Sequence, residues 1–557
     1  MAAFAECISA CGLKEIPFSG SRYTWTGIRQ GRRIWKRLDR LLMNLEWQRR
    51  FSGSVVKHLN RATSDHSPQL LQLSPGLPTG PKSFCFQDMW LNHHDFLMVV
   101  RQCWDQPTDG YGMFHFFLKL KRLKQALRTW NQDVFGNIFE KVSKAEEEVR
   151  LKELQLEVTD SDEARVQWSQ AQAALLKHLT DEETFWKQKA RVKWLREGDA
   201  NTRYFHSHLL DKRARLSITR ICNLEGEVVE SVDDIGIAAV AFFQSLLAEV
   251  PPINNTAICR LLEAIPPLVI PDQNAQLIQE ITLEEVRQAV FELDGQSAAG
   301  CDGFSGNFYK RCWDIIAQDV LQAAREFMCG VPIPKGIAST LILLLPKKEA
   351  PHSFADFRPI SLCNFINKVF TKILSNHLKV VLPTIISLEQ SGFVSGRDIA
   401  DNILLAQELV NSIDKKARGH NVIFKLEMMK AFDRVSWDFL SRLLLQFGFH
   451  SHFVSLIMNN LTSAWFSILV NGRPRGFFQA KKGLKQGDPL SPFLFILVSE
   501  ALSRGVNNLA LQRKLQPFAL GRHCPTVLHL AFADDIVIFT RGDKRSVQSL
   551  MGFLELY

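Results

Sequence analysis

Residues 529–540 read His529-Leu-Ala-Phe-Ala-Asp-Asp-Ile-Val-Ile-Phe-Thr540, an apolar run that is interrupted by two adjacent carboxylates. A charged carboxylate among apolar neighbours costs several kcal/mol unless a cation meets it. The pattern predicts a strand, a two-residue turn that carries Asp534 and Asp535, and a second strand. Acids at a hairpin tip are suited to hold a divalent cation through oxygen ligands, although Asp is also common in ordinary turns.

The composition is that of a globular protein. The chain has 557 residues, of which 46% are hydrophobic and 22% are charged, so it has room for about two to four domains and is not disordered throughout. Its formal net charge of +9 suits a polyanionic partner. The eleven cysteines include no Cys-x-x-Cys pair, and the N-terminus has no secretory signal. The sequence therefore predicts an intracellular protein that is neither secreted nor membrane-spanning.

A third acid follows another predicted strand. The strand Val422-Ile-Phe-Lys-Leu-Glu427 leads into Met428-Met-Lys-Ala-Phe-Asp433. Apolar spacing then predicts a helix over 434–447, with Asp433 as its N-cap and Gly448 as its stop. An acid at a strand end beside an acid pair on a hairpin is the outline of a two-metal site, in which two divalent ions about 3.5–4 Å apart clamp the oxygens of a phosphoryl transfer. The predicted ligands are Glu427, Asp534 and Asp535.

Between these acids lies a glycine-bearing loop, Gly483-Leu-Lys-Gln-Gly-Asp-Pro-Leu-Ser-Pro-Phe493. Because Gly487 has no side chain, the backbone there can approach a base pair closely. The loop runs into a predicted helix with Ser491 as N-cap and Pro492 at its first position. Three cations on neighbouring predicted elements are suited to grip a triphosphate, although each one singly is more typical of a surface. They are Lys347, Lys348 and Arg358.

The earlier part of the chain is less distinctive. Short strand-like runs and turns fill residues 1–75, and apolar residues at helical spacing predict helices from Phe114 to about Lys193. The segment 185–206 interleaves basic residues with aromatic ones. Single-stranded nucleic acid favours that combination, and an amphipathic helix with a basic outer face explains it equally well.

Three ordered motifs resemble motifs A, B and C of a reverse transcriptase. They are Leu-Glu-x-x-Lys-Ala-Phe-Asp at 426–433, Gly-Leu-Lys-Gln-Gly-Asp-Pro-Leu-Ser-Pro at 483–492 and Phe-Ala-Asp-Asp at 532–535. Arg358-Pro-Ile-Ser, Gln390-Ser-Gly-Phe-Val-Ser-Gly-Arg397 and Asp401-Asn-Ile-Leu404 resemble the finger motifs of the non-LTR, LINE-type branch. The phrase from Gln188 to His206 is similar to the second open reading frame of plant-type LINE elements.

The resemblance implies a right-hand polymerase with fingers and palm, which copies RNA into DNA from a primer end. Its cofactor would be Mg²⁺ in a two-metal site, with Mn²⁺ as an alternative ion. Asp534 would be a metal ligand and Asp535 its neighbour at the site. The partners would be an RNA template, a DNA primer or target and deoxynucleoside triphosphates. Such a protein would work in the nucleus, in a cytoplasmic ribonucleoprotein, or in both.

The same resemblance implies roles for residues that bind the substrate. Phe432 would act as a steric gate against a 2′-hydroxyl, which selects deoxynucleotides. Gln486 would line the nascent base pair. Arg358, with Lys347 or Lys348, would contact the triphosphate or the template.

A second resemblance covers the N-terminal part. Thr24-Trp, Leu38-Asp-Arg and Ser64-Asp-His, in this order, are similar to the last third of the endonuclease/exonuclease/phosphatase fold in its apurinic-endonuclease branch. The resemblance places Asp65 and His66 in a phosphodiester-cleaving site, where a carboxylate-oriented imidazole is a good acid–base group. Because the other site residues of that family come from earlier strands, we expect a remnant rather than a working nuclease.

Two departures from the reverse transcriptase pattern bear on activity. Glu427 stands where the family has Asp, and a misplacement of about 1 Å in catalytic geometry can cost roughly 10²-fold in rate. The chain stops at Tyr557, shortly after the third motif, so we expect a truncated polymerase without a thumb and with weak or no activity. Two alternatives stay open. One is a non-catalytic nucleic-acid-binding remnant that uses 185–206, and the other, ranked below it, is a maturase of the group II intron type.

The expected fold class is α+β with several domains. Residues 1–75 are expected to form the C-terminal part of an endonuclease/exonuclease/phosphatase α/β sandwich. Residues 76–270 are expected to form a mainly helical linker that includes the basic-aromatic segment. Residues 271–557 are expected to form the fingers and palm of the reverse transcriptase, truncated after motif C.

Overall fold

The computed structural model describes most of the chain. The described residues are 7–8, 11–30, 32–51, 54–61, 64–73, 83–159, 161–190, 212, 216–250, 254–348, 350–415, 419–520 and 524–557. None of the helices in these ranges is both long enough and apolar enough to cross a bilayer.

The N-terminal part is built from short strands. They are β1 (Lys14–Glu15), β2 (Phe18–Ser19), β3 (Trp25–Arg29), β4 (Arg32–Lys36), β5 (Leu42–Met43), β6 (Val55–His58) and β7 (Gln69–Gln72). They form three small sheets, in which β1 pairs with β5, β3 pairs with β4, and β6 lies between β2 and β7. The helix Leu45–Arg50 connects β5 to β6. Ile16, Met43 and Val56 are the buried residues of a small core.

Long helices follow. They are Phe96–Trp104, Gly112–Val134, Ile138–Val158 and Asp162–Ala190. The helical character predicted from Phe114 onward is confirmed as far as residue 190. It is divided by breaks that the periodicity of the sequence did not show. One break lies at Gly136, whose φ of +56° is in the left-handed region that favours glycine. The last two of these helices pack against each other as a hairpin.

A four-stranded mixed sheet follows a two-stranded ribbon of β8 (Ile221–Cys222) and β9 (Val228–Val229). Its strands are β10 (Ser339–Pro346), β11 (Phe357–Cys363), β13 (Trp465–Val470) and β14 (Arg473–Gln479). Their order is β11-β10-β13-β14, and β10 runs antiparallel to β11 and parallel to β13. Alternate side chains of a strand point to one face, and here Ile342 and Phe466 lie under the helix Val232–Ala248.

A second, antiparallel sheet carries the predicted acids. It consists of β12 (Asn421–Glu427), β15 (His529–Phe532) and β16 (Asp535–Arg541), with β16 in the centre. One face packs on the helices Ser491–Leu511 and Lys544–Leu556. This buried apolar face fixes the register, because a slip of one residue would turn it toward solvent.

A large apolar core joins helices from distant parts of the chain. The helices Phe96–Trp104 and Phe365–Ile385 both contribute to it. Trp104 Nε1 donates a hydrogen bond to Asp319 Oδ2 at 2.7 Å. This bond links the helix Phe96–Trp104 to the helix Trp313–Met328. Helices from the region 76–270 therefore share a core with the region predicted to be the polymerase, while the domain boundaries themselves stay a prediction.

Further helices connect these layers. They are Asn255–Leu262, Pro271–Leu277, Leu283–Glu292, Gly306–Arg311, Trp313–Met328, Lys335–Ala338, Ile399–Asn411, Ala431–Arg434, Trp437–Phe447 and Ser451–Thr462. Asp88–Asn92 and Phe354–Asp356 are short 3₁₀ helices.

The helix predicted to begin after Asp433 is divided in two. Ala431–Arg434 forms one turn, and Trp437–Phe447 follows it with Ser436 as the N-cap. The prediction of Asp433 as the cap is therefore wrong, because this residue lies inside the preceding turn. The predicted stop is confirmed, since Gly448 ends the helix with a φ of +93°.

The helix after the glycine-bearing loop begins one residue earlier than predicted. Ser491 is its first residue and Leu490 its N-cap, so Pro492 occupies the second position. Proline is tolerated there because the N–H groups of a first helical turn have no partner within the helix.

Candidate active site

The two acids of residues 529–540 lie at the tip of the hairpin formed by β15 and β16. The turn consists of Ala533 and Asp534, whereas Asp535 is the first residue of β16 and pairs with Phe532. The prediction that the turn carries both acids is therefore wrong by one residue. Ala533 has a left-handed φ of +54°, which costs a residue with a Cβ atom roughly 1–2 kcal/mol. Both carboxylates are exposed.

The acid at the end of β12 meets this tip. In the antiparallel register of β12 and β16, Glu427 lies directly opposite Asp535. Residues so placed share one face of a sheet, with Cβ atoms about 4.5–5.5 Å apart, and like charges there repel each other. The side-chain carboxylates of Glu427, Asp534 and Asp535 have no hydrogen-bond or ion-pair partner among the described residues. The structure thus brings the three predicted ligands to one end of one sheet.

The donor set suits a hard divalent cation. Carboxylate oxygens are ligands that Mg²⁺ and Mn²⁺ prefer, and a cation would offset the repulsion between the three acids. The acids do not form a closed cluster. A metal-binding cluster needs three or more His, Cys, Asp or Glu side chains whose ligand atoms lie close together. In the described ranges, His93, His94 and Asp95 form the only such group with all ligand atoms within 4.8 Å of one another. An open set of acids fits Mg²⁺, which usually keeps several waters or substrate phosphates in its coordination shell.

The predicted steric gate follows Glu427 in a tight helical turn. Phe432 lies in this turn, Ala431–Arg434, and its ring stacks on Phe495. The ring centroids are 4.6 Å apart and the planes differ by 13°. A ring from the helix after the glycine-bearing loop therefore holds Phe432 in place.

The glycine-bearing loop is fixed to elements on both sides. Leu484 N donates a hydrogen bond to Phe432 O, and Ser361 N donates one to Gln486 O, each at 2.8 Å. Because Ser361 belongs to β11, the loop joins that strand to the turn after β12. Gly487 has a φ of +103°, which glycine adopts without steric cost.

Asp433 is a site residue that the sequence interpretation missed. It is 4% exposed, and its Oδ1 accepts a hydrogen bond from Gln486 Nε2 at 3.2 Å. Burial raises the pKa of Asp433 to about 6, although the Gln486 hydrogen bond and the charges of Lys430 and Lys347 lower it. A buried acid with a raised pKa at the edge of a site is often functional. The sequence signal for Asp433 as a site residue is an acid that follows apolar residues. The same pattern is typical of a helix cap, so it does not distinguish the two roles.

Asp433→Asn is expected to stabilise the fold at neutral pH. The folded pKa of about 6 lies above the unfolded value of about 3.9, so the acid binds more protons when folded, and stability falls as pH rises between those values. At pH 7 the cost of the charged form is roughly 3 kcal/mol. Asn removes that cost and keeps an acceptor for Gln486. Denaturant unfolding should show a gain at pH 7 that shrinks toward pH 4.

The control for this prediction is Asp414→Asn, which changes an exposed acid outside the site. At pH 7 it should change stability only slightly, because its side chain is exposed. A gain in Asp433→Asn that does not depend on pH would contradict the assignment of the cost to the buried charge.

The three predicted cations differ in their partners. Lys348 Nζ forms an ion pair with Asp356 Oδ1 at 3.0 Å, and Lys347 Nζ donates to Ala355 O at 3.3 Å. Arg358 is exposed on β11, and its guanidinium has no hydrogen-bond or ion-pair partner in the described part of the chain. Of the three, Arg358 is therefore the cation best placed to accept an anionic ligand.

The N-terminal motifs also come together in space. His66 Nδ1 lies 2.8 Å from Asp39 Oδ2, whereas Asp65 Oδ2 accepts a hydrogen bond from Trp25 Nε1 at 2.8 Å. The carboxylate that orients the imidazole is thus Asp39 and not Asp65, whose carboxylate is held by Trp25 instead. Partial burial raises the pKa of Asp39, but the hydrogen bond and the charge of His66 outweigh it, so that the pKa is lowered.

The structure describes only the start of the basic-aromatic segment. Lys189 Nζ lies 3.6 Å from the centroid of the Phe185 ring, and Lys187 Nζ pairs with Glu183 Oε1 at 2.6 Å. These two cations therefore interact within their own helix. Residues 191–206 lie outside the described ranges, and nucleic-acid binding by this segment stays a prediction.

Part of the chain matches a known protein family, and the chain is similar to several known proteins. Residues 345–555 match the protein family described as reverse transcriptase (RNA-dependent DNA polymerase). The transposon TX1 uncharacterized 149 kDa protein of Xenopus laevis is 26% identical over 534 residues, which are 93% of this chain and 39% of that protein.

Two Pol polyproteins are also similar. The retrovirus-related Pol polyprotein from type-2 retrotransposable element R2DM of Drosophila melanogaster is 26% identical over 48% of this chain and 27% of its own length. The one from type-1 retrotransposable element R2 of Popillia japonica is 33% identical over 26% of this chain and 22% of its own length. The chain thus spans about two fifths or less of the length of these relatives.

Proposed function

We propose that this chain is part of the RNA-directed DNA polymerase of a non-LTR retrotransposon. The observation that carries the proposal is the register of β12 and β16, which sets Glu427 opposite Asp535 and beside Asp534 within the segment 345–555 that matches the reverse transcriptase family. The reaction would be attack of a primer 3′-hydroxyl on the α-phosphorus of a deoxynucleoside triphosphate. A P–O bond to the primer forms, the bond from the α-phosphorus to the α–β bridging oxygen breaks, pyrophosphate leaves, and the hydroxyl proton passes to water.

The carboxylates of Glu427, Asp534 and Asp535 would hold the divalent cation. When bound, Mg²⁺ or Mn²⁺ supplies charge stabilisation for the phosphates and a lower pKa for the attacking hydroxyl. The exposure of all three acids leaves them open to a nucleotide that arrives from solvent.

Residues around the acids would position the nucleotide. The planar guanidinium of Arg358 matches the oxygens of a phosphate. The ring of Phe432, supported by Phe495, would exclude a 2′-hydroxyl. The amide of Gln486, fixed by Asp433, would line the nascent base pair.

The proposal extends to the N-terminal part, as the remainder of an endonuclease-type sandwich in a plant-type LINE protein. The order of the motifs that include Trp25, Asp39 and His66, and the contacts among them, support this extension. The partners would be an RNA template and a DNA primer or target. The place of action would be the nucleus, a cytoplasmic ribonucleoprotein, or both.

Primer extension tests the proposal. A labelled DNA primer annealed to an RNA template of defined length is incubated with the chain, deoxynucleotides and Mg²⁺. We expect slow extension, because Glu427 stands where the family has Asp, and we expect its products to be lost when EDTA removes the metal or ribonucleotides replace the deoxynucleotides. Salt-dependent RNA binding without extension under any of these conditions would overturn the proposal in favour of a non-catalytic nucleic-acid-binding protein.

A further inference from the structure

The segment around Gln390 lies against the acidic hairpin. Ala531 N donates a hydrogen bond to Glu389 O at 2.9 Å, and Ser391 N donates one to Ala531 O at 3.0 Å, so that Gln390 forms a parallel bridge with Ala531. Asn402 Nδ2 donates to Glu389 O and Ala531 O, each at 3.1 Å. This short segment therefore continues the sheet at the edge formed by β15.

The side chain of Gln390 reaches beyond this bridge to the turn itself. Its amide oxygen accepts hydrogen bonds from Ala533 N and Gly392 N, each at 2.9 Å, and its amide nitrogen donates to Ala533 O at 3.4 Å. One side chain that is 1% exposed thus holds both backbone polar groups of Ala533. Ala533 has the left-handed conformation that precedes Asp534, and these hydrogen bonds offset its cost.

The segment that carries Gln390 is itself firmly held. Arg397 donates hydrogen bonds to Ile386 O at 2.8 Å and to Gln390 O at 2.7 Å. Glu500, which is 1% exposed, accepts a hydrogen bond from Ser387 N at 3.0 Å. The segment is therefore also tied to a buried helix, in addition to its contacts with the hairpin.

The packing at Gly392 shows how closely the two segments meet. A Cβ atom at this position would lie 2.7 Å from Ala533 N and 3.0 Å from Gln390 Oε1. Atoms of different residues pack without repulsion at about 3.5–4.0 Å. A side chain at Gly392 would therefore push the turn, and the acid on it, out of place.

We infer that Gln390 is a positioning residue for Asp534. Its amide fixes both polar groups of Ala533 and thereby sets the direction in which the Asp534 carboxylate leaves the turn. The inference rests on the proposed function, which gives this geometry its catalytic purpose. Glutamine fits the task because the clamp needs a donor and an acceptor on one planar group. Asn has both groups and is one methylene shorter, and Met has a similar length without the donor.

Gln390→Met tests the inference, with Asn421→Leu as the matched control. Asn421 is 6% exposed, and its amide clamps Ala519 in the same two-sided way, with Oδ1 2.8 Å from Ala519 N and Nδ2 3.1 Å from Ala519 O. It lies at the opposite end of β12 from Glu427, roughly 20 Å away at the usual rise of a strand. Both variants remove a buried amide clamp, and they differ in their distance from the acids.

Two measurements read the result. The first is the binding of Mn²⁺ to the full chain, followed by electron paramagnetic resonance, and the second is the Mg²⁺ concentration that gives half-maximal primer extension. For Gln390→Met we expect about a 10-fold weaker Mn²⁺ binding and a similar rise in the Mg²⁺ requirement, since the loss of a group that orients a metal ligand typically costs about 10–100-fold in metal affinity. Asn421→Leu should leave both within about twofold of wild type, because it lies far from the acids.

Thermal unfolding establishes that each variant is folded at the assay temperature. If Gln390→Met does not fold, Gln390→Asn is measured by the same criteria. Metal binding that is equal in wild type and the Gln390 variant, or that falls equally in Asn421→Leu, overturns the inference and leaves the proposed function in place. A wild-type chain that neither extends primers nor binds Mn²⁺ in a manner dependent on Asp534 overturns the proposed function, and the inference with it.

Discussion

Asp534→Asn is expected to lower RNA-templated primer extension by about 10³-fold or more. The substitution removes the charge of a metal-holding carboxylate and keeps the size of the side chain, and Asn tolerates the same turn conformation. Loss of one group that stabilises developing charge already costs roughly 10²–10³-fold. The measurement is the initial rate of extension at saturating deoxynucleotides and Mg²⁺, with folding checked by thermal unfolding.

Two controls belong to this prediction. Asp414→Asn, an exposed acid in the turn after the helix Ile399–Asn411, should extend primers at the wild-type rate. RNA binding by Asp534→Asn should be as tight as that of wild type or tighter, because one negative charge is gone. Near-normal extension by Asp534→Asn would remove this residue from the proposed ligands.

Glu427→Asp is expected to raise the rate of primer extension by about 10-fold to 100-fold. Glu427 lies opposite Asp535 in the register of β12 and β16, and its carboxylate stands one methylene farther from the strand than that of Asp. A shift of about 1 Å in catalytic geometry can cost roughly 10²-fold, so the shorter side chain should recover much of that factor. The rate is measured across a range of Mg²⁺ concentrations, where the requirement for the metal should fall as the rate rises.

The contrasting variant at this position is Glu427→Gln, which keeps the length of the side chain and removes the charge, and which should lower the rate further. The double variant Glu427→Asp with Asp534→Asn should be inactive, since the acid on the hairpin is needed in either background. A lower rate in Glu427→Asp than in wild type would show that the site is adapted to Glu. It would contradict the expectation that Glu427 lowers the activity of the wild-type chain.

Features that depend on neighbouring residues could be predicted from the sequence. The strand predicted over 422–427 is β12 with the addition of Asn421, because its pattern of apolar and β-branched residues is local. The glycine that ends the helix at 448 is set by its own conformational freedom. The three acids could be named because Glu427 ends an apolar run and the other two interrupt one, and an unpaired charge is unusual in such surroundings.

Features that depend on contacts across the chain could not be predicted. The hydrogen bond between Asp433 and Gln486 joins residues 53 positions apart, and the one between Gln390 and Ala533 joins residues 143 positions apart. The left-handed turn falls on an alanine, although Gly or Asn usually marks such a position. Its conformation is imposed by tertiary contacts, and a local pattern carries no signal for it.

The central place of β16 in its sheet has a consequence for synthesis on the ribosome. In the described part of the chain, β12 pairs with β16 alone, and β16 emerges about a hundred residues later. At about 5–20 residues per second, β12 waits roughly 5–20 s for its partner, and an unpaired strand edge is prone to pair with other chains in that time. Glu427 and Asp535 cannot meet before then. A nascent chain therefore has no assembled site until the ribosome has translated the region up to residue 541.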